Sequence, residues 1–350
     1  MKKLFFVCST IVIFSFCRGI AAEPESKSGR IDNSKPLKKW QAESRRKLID
    51  ILGISDLMNL PRCNLQPEVL WKRDFPFGSV EKVKLKMEQG VDGLIYICTP
   101  RNAKSPYIPF ICLEGHSTGM HNSIGIDWRD EKTILPDNKN QIARDCLKRG
   151  IAVVCVEARY LGEFSIRLCQ MPACYRPASN ALMSGRSAIG ERVFDIDRVI
   201  DYLATRKDFN LSQLGIIGHS MGGKTAMFAG AVLPRLTHVV ISCAVAGFKE
   251  SLGTYSSCIC NYVPNLYLYG DSGDVLGLIA PRPLVVLNDA KDWRLPIKSS
   301  KQQMARVKEL YRKAGAEKNC QHEISQCGEL FLADSLWKHM QPLWKNCKSK

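Results

Sequence analysis

Gly218-His219-Ser220-Met221-Gly222 stands directly after the apolar run 214–217 and directly before a helix-forming stretch. This G-x-S-x-G pattern constrains the fold more than any other feature of the chain. A strand that turns into a helix within one residue needs glycine on both sides of the turn. The strain lifts the turn residue's hydroxyl clear of the sheet, where it can attack a carbonyl.

The surrounding pattern predicts the sheet. Runs 109–113, 152–157, 214–217, 238–242 and 283–288 are short and apolar without alternation, as expected of parallel strands buried on both faces. Segments 142–149, 191–205, 222–233, 299–314 and 335–344 carry helical periodicity. Val193, Ile196, Val199, Ile200 and Leu203, for example, share one face. Alternating strands and helices predict an α/β class fold, a mostly parallel central sheet with helices on both faces. Upstream, the β-prone runs 83–87 and 94–99 flank Gln89-Gly90, which predicts a hairpin. Residues 40–57 read as one amphipathic helix, an N-terminal extension of a domain covering 40–350. Segment 164–187 carries Cys169, Pro172, Cys174 and Pro177 and no clear period. It reads as a long loop or lid above the sheet's carboxyl edge.

Residues 1–22 read as an export signal. Lys2 and Lys3 precede an uncharged apolar run over 4–16, and Gly19-Ile20-Ala21-Ala22 supplies small residues for cleavage. The run is too short to span a bilayer comfortably, so no stable membrane insertion is expected after cleavage. A lipid anchor on Cys17 is disfavoured by the bulk of Phe14-Ser15-Phe16. Residues 23–39 read as a polar linker. The formal charge is +16, of which the leader supplies three, leaving +13. That surface could draw anionic glycans. No nucleic-acid-binding motif accompanies it, so no nucleic-acid partner is expected.

Of 15 cysteines, Cys8 and Cys17 lie in the leader, and an odd number remain. Export predicts that some of these pair. Cys98, Cys112, Cys155 and Cys243 sit in apolar runs and read as small buried hydrophobes. Cys258, Cys260, Cys320, Cys327 and Cys347 are the better disulfide candidates. No C-x-x-C occurs, and Cys258-x-Cys260 with Cys320-x-His322 is poor ligand spacing. Neither a metal nor a cofactor is expected.

Ser220 is the candidate nucleophile, and the Met221 N–H, in the first turn of the following helix, is the first oxyanion donor. The glycine-rich loop Leu113-Glu114-Gly115-His116-Ser117-Thr118-Gly119 follows an early strand and offers the His116 N–H as the second donor. An acid should follow a later strand, and Leu287-Asn288-Asp289-Ala290-Lys291-Asp292-Trp293 does so. Asp292 is the first choice and Asp289 the second. The base is the difficulty. Imidazole suits the task because it titrates near pH ~6.5. Only His322 and His339 lie downstream of Asp292. His322 precedes an apparent short strand and His339 falls inside the last helix, and both read as surface residues.

On these residues the chain, from about Trp40 to Trp344, resembles bacterial α/β-hydrolases of the acetyl-xylan-esterase and dienelactone-hydrolase-like group. Segment 109–119 resembles the group's strand and oxyanion loop, and Gly218–Gly223 its elbow. Glu191-Arg192-Val193-Phe194-Asp195 with Ile200-Asp201-Tyr202-Leu203 resembles the helix before the elbow. Cys260-Asn261-Tyr262-Val263-Pro264-Asn265-Leu266 and Gly270-Asp271 resemble a loop typical of the group. Leu278-Ile279-Ala280-Pro281-Arg282-Pro283-Leu284 resembles the strand leading to the catalytic acid, which falls on Asp292. Two positions depart from the pattern. Glu114 stands where the group has histidine in the oxyanion loop, and Glu329 stands where the triad histidine belongs.

The resemblance implies a serine esterase acting on acylated carbohydrate or a related small ester, with Ser220 attacking and Asp292 orienting a base, and the leader adds export. The base is relocated to His116 or His121 on the oxyanion loop, or, as the weaker option, Glu329 at the triad position acts directly. A second reading is a hydrolase fold that has lost catalysis and binds a glycan or partner through the old cleft. A prolyl-oligopeptidase-like peptidase would need a large extra domain, for which the residues before the oxyanion strand are too few.

Overall fold

The structure, a computed structural model, describes residues 36–138, 140–165, 173–254, 257–326 and 333–345. Nine strands form one sheet in the order β1-β2-β3-β5-β4-β6-β7-β8-β9. They are β1 (Glu68–Phe75), β2 (Gly78–Glu88), β3 (Val91–Pro100), β4 (Pro109–Leu113), β5 (Ala152–Val156), β6 (Gly215–His219), β7 (His238–Ser242), β8 (Leu284–Asp289) and β9 (Cys320–Ser325). From β5 to β9 across the sheet all neighbours are parallel, while β1, β2 and β3 form an antiparallel edge. The helices are α1 (Leu37–Ile51), α2 (Ser55–Asn59), α3 (His121–Ile124), α4 (Ile142–Lys148), α5 (Tyr175–Met183), α6 (Ala188–Thr205), α7 (Met221–Val232), α8 (Leu266–Tyr269), α9 (Ser272–Gly277), α10 (Ile297–Lys313) and α11 (Ala333–Lys345).

Side chains along a strand alternate between faces, and here each face feeds its own core. Ile111, Val154, Ile216 and Val286 join α1, α6, α7 and α10 on one side. Phe110, Val153, Ile217 and Val285 join α4 and α11 on the other. Continuous apolar runs are the pattern such two-sided burial demands. The mostly parallel sheet with helices on both faces is therefore as expected. So is the hairpin, with Gln89-Gly90 between β2 and β3 and Gly90 at φ 79°.

Several boundaries differ. The single helix expected over 40–57 is two, α1 and α2, because Gly53 turns left-handed at φ 71° between them. A Cβ there would lie 2.1 Å from the Gly185 carbonyl oxygen, so the break is also a close packing point. Helix α1 starts at Leu37, inside the stretch assigned to the linker. Strand β1 had no counterpart in the sequence reading, and His322 lies within β9 rather than before a strand. Segment 164–187 is not all loop. It contains α5, and Ser187 caps α6 by accepting the Gly190 N–H. Cys169 and Pro172 in that segment, the leader, Glu329, Cys327 and Cys347 lie outside the described residues. Among the described residues, Cys258, Cys260 and Cys320 are thiols rather than disulfide partners, and Cys260 and Cys320 are buried. No helix among the described residues is long and apolar enough to cross a membrane.

Candidate active site

Ser220 sits between β6 and α7 at φ 54°, ψ −116°, a left-handed conformation rare for a side-chain-bearing residue. Its N–H donates to the Ser242 carbonyl at 2.8 Å, and its own carbonyl accepts the Lys224 N–H at 3.0 Å. The turn is held by β7 on one side and the new helix on the other. The flanking glycines are required by contact. A Cβ on Gly218 would lie 2.1 Å from the Gly222 oxygen, and one on Gly222 would lie 2.4 Å from the carbonyl oxygens of Leu113 and Glu114. The elbow therefore packs directly against the root of the oxyanion loop. A Cβ on Gly115 would come within 3.3 Å of Ser220 Cβ, so that loop runs past the nucleophile. Met221 is the first residue of α7, where helical geometry leaves the N–H without an intrahelical acceptor.

The serine lines a cleft of about 170 Å³ together with His116, Met221, Lys224, Cys243, Ser251, Ser257, Cys258, Asn261, Asp292 and Trp293. A more open depression of about 520 Å³, lined by Glu114, His116, His219 and Arg294, meets it at Ser220. Ser220, Met221, His116 and Asp292 thus share one cavity.

The structure distinguishes the two candidate acids. Asp289, at the end of β8, accepts the Lys291 N–H at 2.8 Å and the Ser325 hydroxyl, and lines neither cavity. Asp292 lines the cleft. Its Oδ1 accepts the Arg294 backbone N–H at 3.0 Å and the Arg294 Nε–H at 3.2 Å. Its Oδ2 is buried and has no hydrogen-bond partner among the described residues. A carboxylate oxygen desolvated beside a serine and left unpaired is poised for a base or a substrate donor.

Of the six histidines, two line these cavities. The His116 ring turns to Cys260, with Nε2 3.2 Å from Sγ. His219, which the sequence reading passed over, has Nδ1 3.1 Å from the Ser242 hydroxyl. Burial and the charge of Arg294 pull it down to about 4, so the ring is neutral. His121 is not brought to the nucleophile: its Nε2 meets the Thr118 hydroxyl at 2.8 Å, and its charged neighbours are Glu131, Asp127 and Lys82. His322 bonds Asn288 and His339 bonds Glu323, both away from the cleft.

Two further groups set the electrostatics. Lys224, one helical turn after Ser220, is lowered to about 8, first by burial and also by Arg294. Glu114, in the oxyanion loop, is lifted to about 7 by burial, against the opposing effect of the Ser123 hydroxyl, which donates to its carboxylate. A set of metal-binding atoms stands at the same end of the cleft. His116 Nε2 and the sulfurs of Cys174, Cys258 and Cys260 all lie within 4.8 Å of one another. The sequence spacing gave no sign of this group.

No family model matches the chain. Over 118 residues it is 29% identical to "Putative hydrolase YtaP" of Bacillus subtilis (strain 168), covering 33% of this chain and 40% of that protein. Over 121 residues it is 25% identical to "Carbohydrate esterase MZ0003" of an unknown prokaryotic organism, covering 29% of this chain and 28% of that protein. The chain thus matches less than half the length of either relative. Among solved structures, it superposes on a "putative acetyl xylan esterase" from Bacteroides fragilis NCTC 9343 with a TM-score of 0.66 at 16% identity, covering 83% of this chain and 75% of that one. A glucuronoyl esterase from Solibacter usitatus gives a TM-score of 0.66 at 17% identity over 90% and 95% of the two chains. The fold is that of the α/β-hydrolases, as the resemblance implied.

Proposed function

We propose that the protein is a carboxylic ester hydrolase acting on an esterified carbohydrate. Ser220 attacks the ester carbonyl, and the N–H groups of Met221 and His116 receive the oxyanion. The observation that carries this reading is the strained Ser220, which opens into the same cleft as the unpaired Oδ2 of Asp292. Carbohydrate is favoured by the cleft's lining. Trp293 is 70% exposed at its edge, a flat aromatic surface on which a sugar ring can stack. Ser251, Ser257, Asn261 and Lys224 supply hydrogen-bonding groups.

Glu329 is the proposed base, taking the position a histidine holds in the resembling group. Burial or a neighbouring negative charge raises a carboxylate's pKa. That moves it toward the range in which it can take a serine's proton. The His116 and His219 rings are engaged with Cys260 and Ser242, which favours Glu329 over them. Export belongs to the same proposal and rests on the leader pattern of residues 1–22.

The test is turnover of an activated acetyl ester and of acetylated or methyl-esterified glycans. Ser220→Ala should lower kcat/KM by at least about 10³-fold, and Glu329→His should raise kcat. Equal rates for the wild type and Ser220→Ala would overturn the hydrolase reading. The cleft would then be a binding site for a glycan or partner.

A further inference from the structure

The geometry points to a four-coordinate zinc site formed by His116, Cys174, Cys258 and Cys260, clamping the oxyanion loop to the start of α5 and to the turn at 258–260 beside the cleft. The four residues come from three separate stretches. His116 is on the loop after β4. Cys174 immediately precedes α5. Cys258 and Cys260 flank and enter a short turn at Ile259–Asn261. The contacts span up to 144 positions of sequence, yet they converge. His116 Nε2 is 3.2 Å from Cys260 Sγ, Cys260 Sγ is 3.4 Å from Cys258 Sγ, and Cys258 Sγ is 3.1 Å from Cys174 Sγ. A zinc–sulfur bond of about 2.3 Å sets edges of about 3.8 Å in a tetrahedron of sulfurs. The three edges at 3.1 to 3.4 Å would lengthen by a few tenths of an ångström to hold the ion.

The donor set is the type that selects zinc. Three thiolates and an imidazole suit a borderline-soft tetrahedral cation, not magnesium or calcium. One side of the group is apolar: Leu161, Ala178, Ala188 and Met221 are buried around Cys174 and Cys260, and Ile259 and Tyr160 pack against them, while His116 and Cys258 reach the cleft. On binding, the three thiols release three protons to solvent, the imidazole ligates in its neutral form, and zinc remains divalent, so no electron moves. The resulting complex carries one negative charge, and Arg192 and Lys224 are the cations acting on Cys260. A disulfide between Cys174 and Cys258 is the rival outcome. It would use two of the four groups and leave the convergence of Cys260 and His116 unexplained. With zinc bound, the His116 side chain is fixed at the edge of the Ser220 cleft. The role is structural, and it does not rest on ester hydrolysis.

The experiment measures metal content in the full-length protein produced with zinc in the medium. One zinc per chain is expected. Peptide mapping should find Cys174, Cys258 and Cys260 protected from alkylation until a chelator removes the metal. Cys260→Ser should lower zinc content roughly tenfold or more, while Cys320→Ser should leave it unchanged. Should Cys260→Ser fail to fold, cobalt exchanged into the wild type gives the second readout. Intense visible absorption of a tetrahedral, thiolate-rich centre supports the site, and an octahedral spectrum overturns it. The proposal is also overturned by metal-free protein after zinc is supplied, by a Cys174–Cys258 disulfide in the map, or by full zinc content in a folded Cys260→Ser variant.

Discussion

The two walls of the Ser220 cleft are built on different principles. One wall is made of strand ends. Ser220 follows β6, Cys243 follows β7 and Asp292 lies just beyond β8. The parallel ladder fixes their spacing, since His219 pairs with Ser242 and Ser242 with Leu287. The other wall is made of inserted segments: the oxyanion loop at His116, and the stretches bearing Ser251, Ser257, Cys258 and Asn261. No ladder aligns those. Strand ends hold reacting groups in register at no extra cost, while loops need separate fasteners, and each wall should respond differently to substitution.

The largest effect is expected on the strand-end wall. Asp292→Asn removes the carboxylate charge that lines the cleft with Ser220. It should lower kcat on the order of 10³-fold, equivalent to about 4 kcal/mol of barrier. Thermal stability should hardly change, because the unpaired Oδ2 stabilises nothing in the fold. Steady-state kinetics alongside a melting curve separates the two effects. A loss below tenfold would remove Asp292 from the machinery, and the strand-end wall would then contribute only its serine.

How much could be read from the chain follows the same division. The elbow, the acid strand and the central strands were legible because each is a local pattern set by the period of a strand or the turn chemistry of glycine. Lys224 was within reach too: it lies four residues after Ser220, one helical turn, and so shares its side of α7. The sulfur–imidazole group was not legible. Cys258 meets Cys174 across 84 positions and Cys260 meets His116 across 144. Ligand spacing along the chain says nothing about donors brought together by tertiary packing. The break between α1 and α2 was missed because helical periodicity continues through Gly53, and only the left-handed turn against Gly185 ends the helix.

The next effect concerns what braces the inserted wall from below. Glu157, just past β5, is 4% exposed and accepts the Met120 N–H at 3.3 Å, at the end of the oxyanion loop. Burial lifts its carboxyl to about 8, with Glu163 and Glu114 adding repulsion. In the unfolded chain it ionises near pH ~4.3. The folded state therefore holds a proton that the unfolded state has lost between these values. Stability is fully present below about pH 4 and falls as pH rises toward 8, by up to a few kcal/mol. Glu157→Gln keeps the hydrogen bond and cannot ionise, so its unfolding free energy should be flatter between pH 5 and 8. Denaturation at a series of pH values measures this directly. Parallel curves for the two proteins would mean that Glu157 ionises normally and that the inserted wall is not braced by a neutral carboxyl.

The smallest effect tests the rim where the two walls meet. Trp293 follows Asp292 on the strand-end side but is 70% exposed, so it contributes little to the core. If it stacks on a sugar, Trp293→Ala should raise KM for an esterified oligosaccharide by about fivefold to tenfold, the loss of roughly 1 kcal/mol of aromatic contact. A small activated acetyl ester has no sugar ring to stack, and its KM should stay unchanged. The contrast between the two substrates, rather than either value, carries the result. An equal rise for both would mean that Trp293 orders Asp292 and the strand-end wall. No rise for either would move carbohydrate recognition to the inserted segments, whose Ser251, Ser257 and Asn261 also line the cleft.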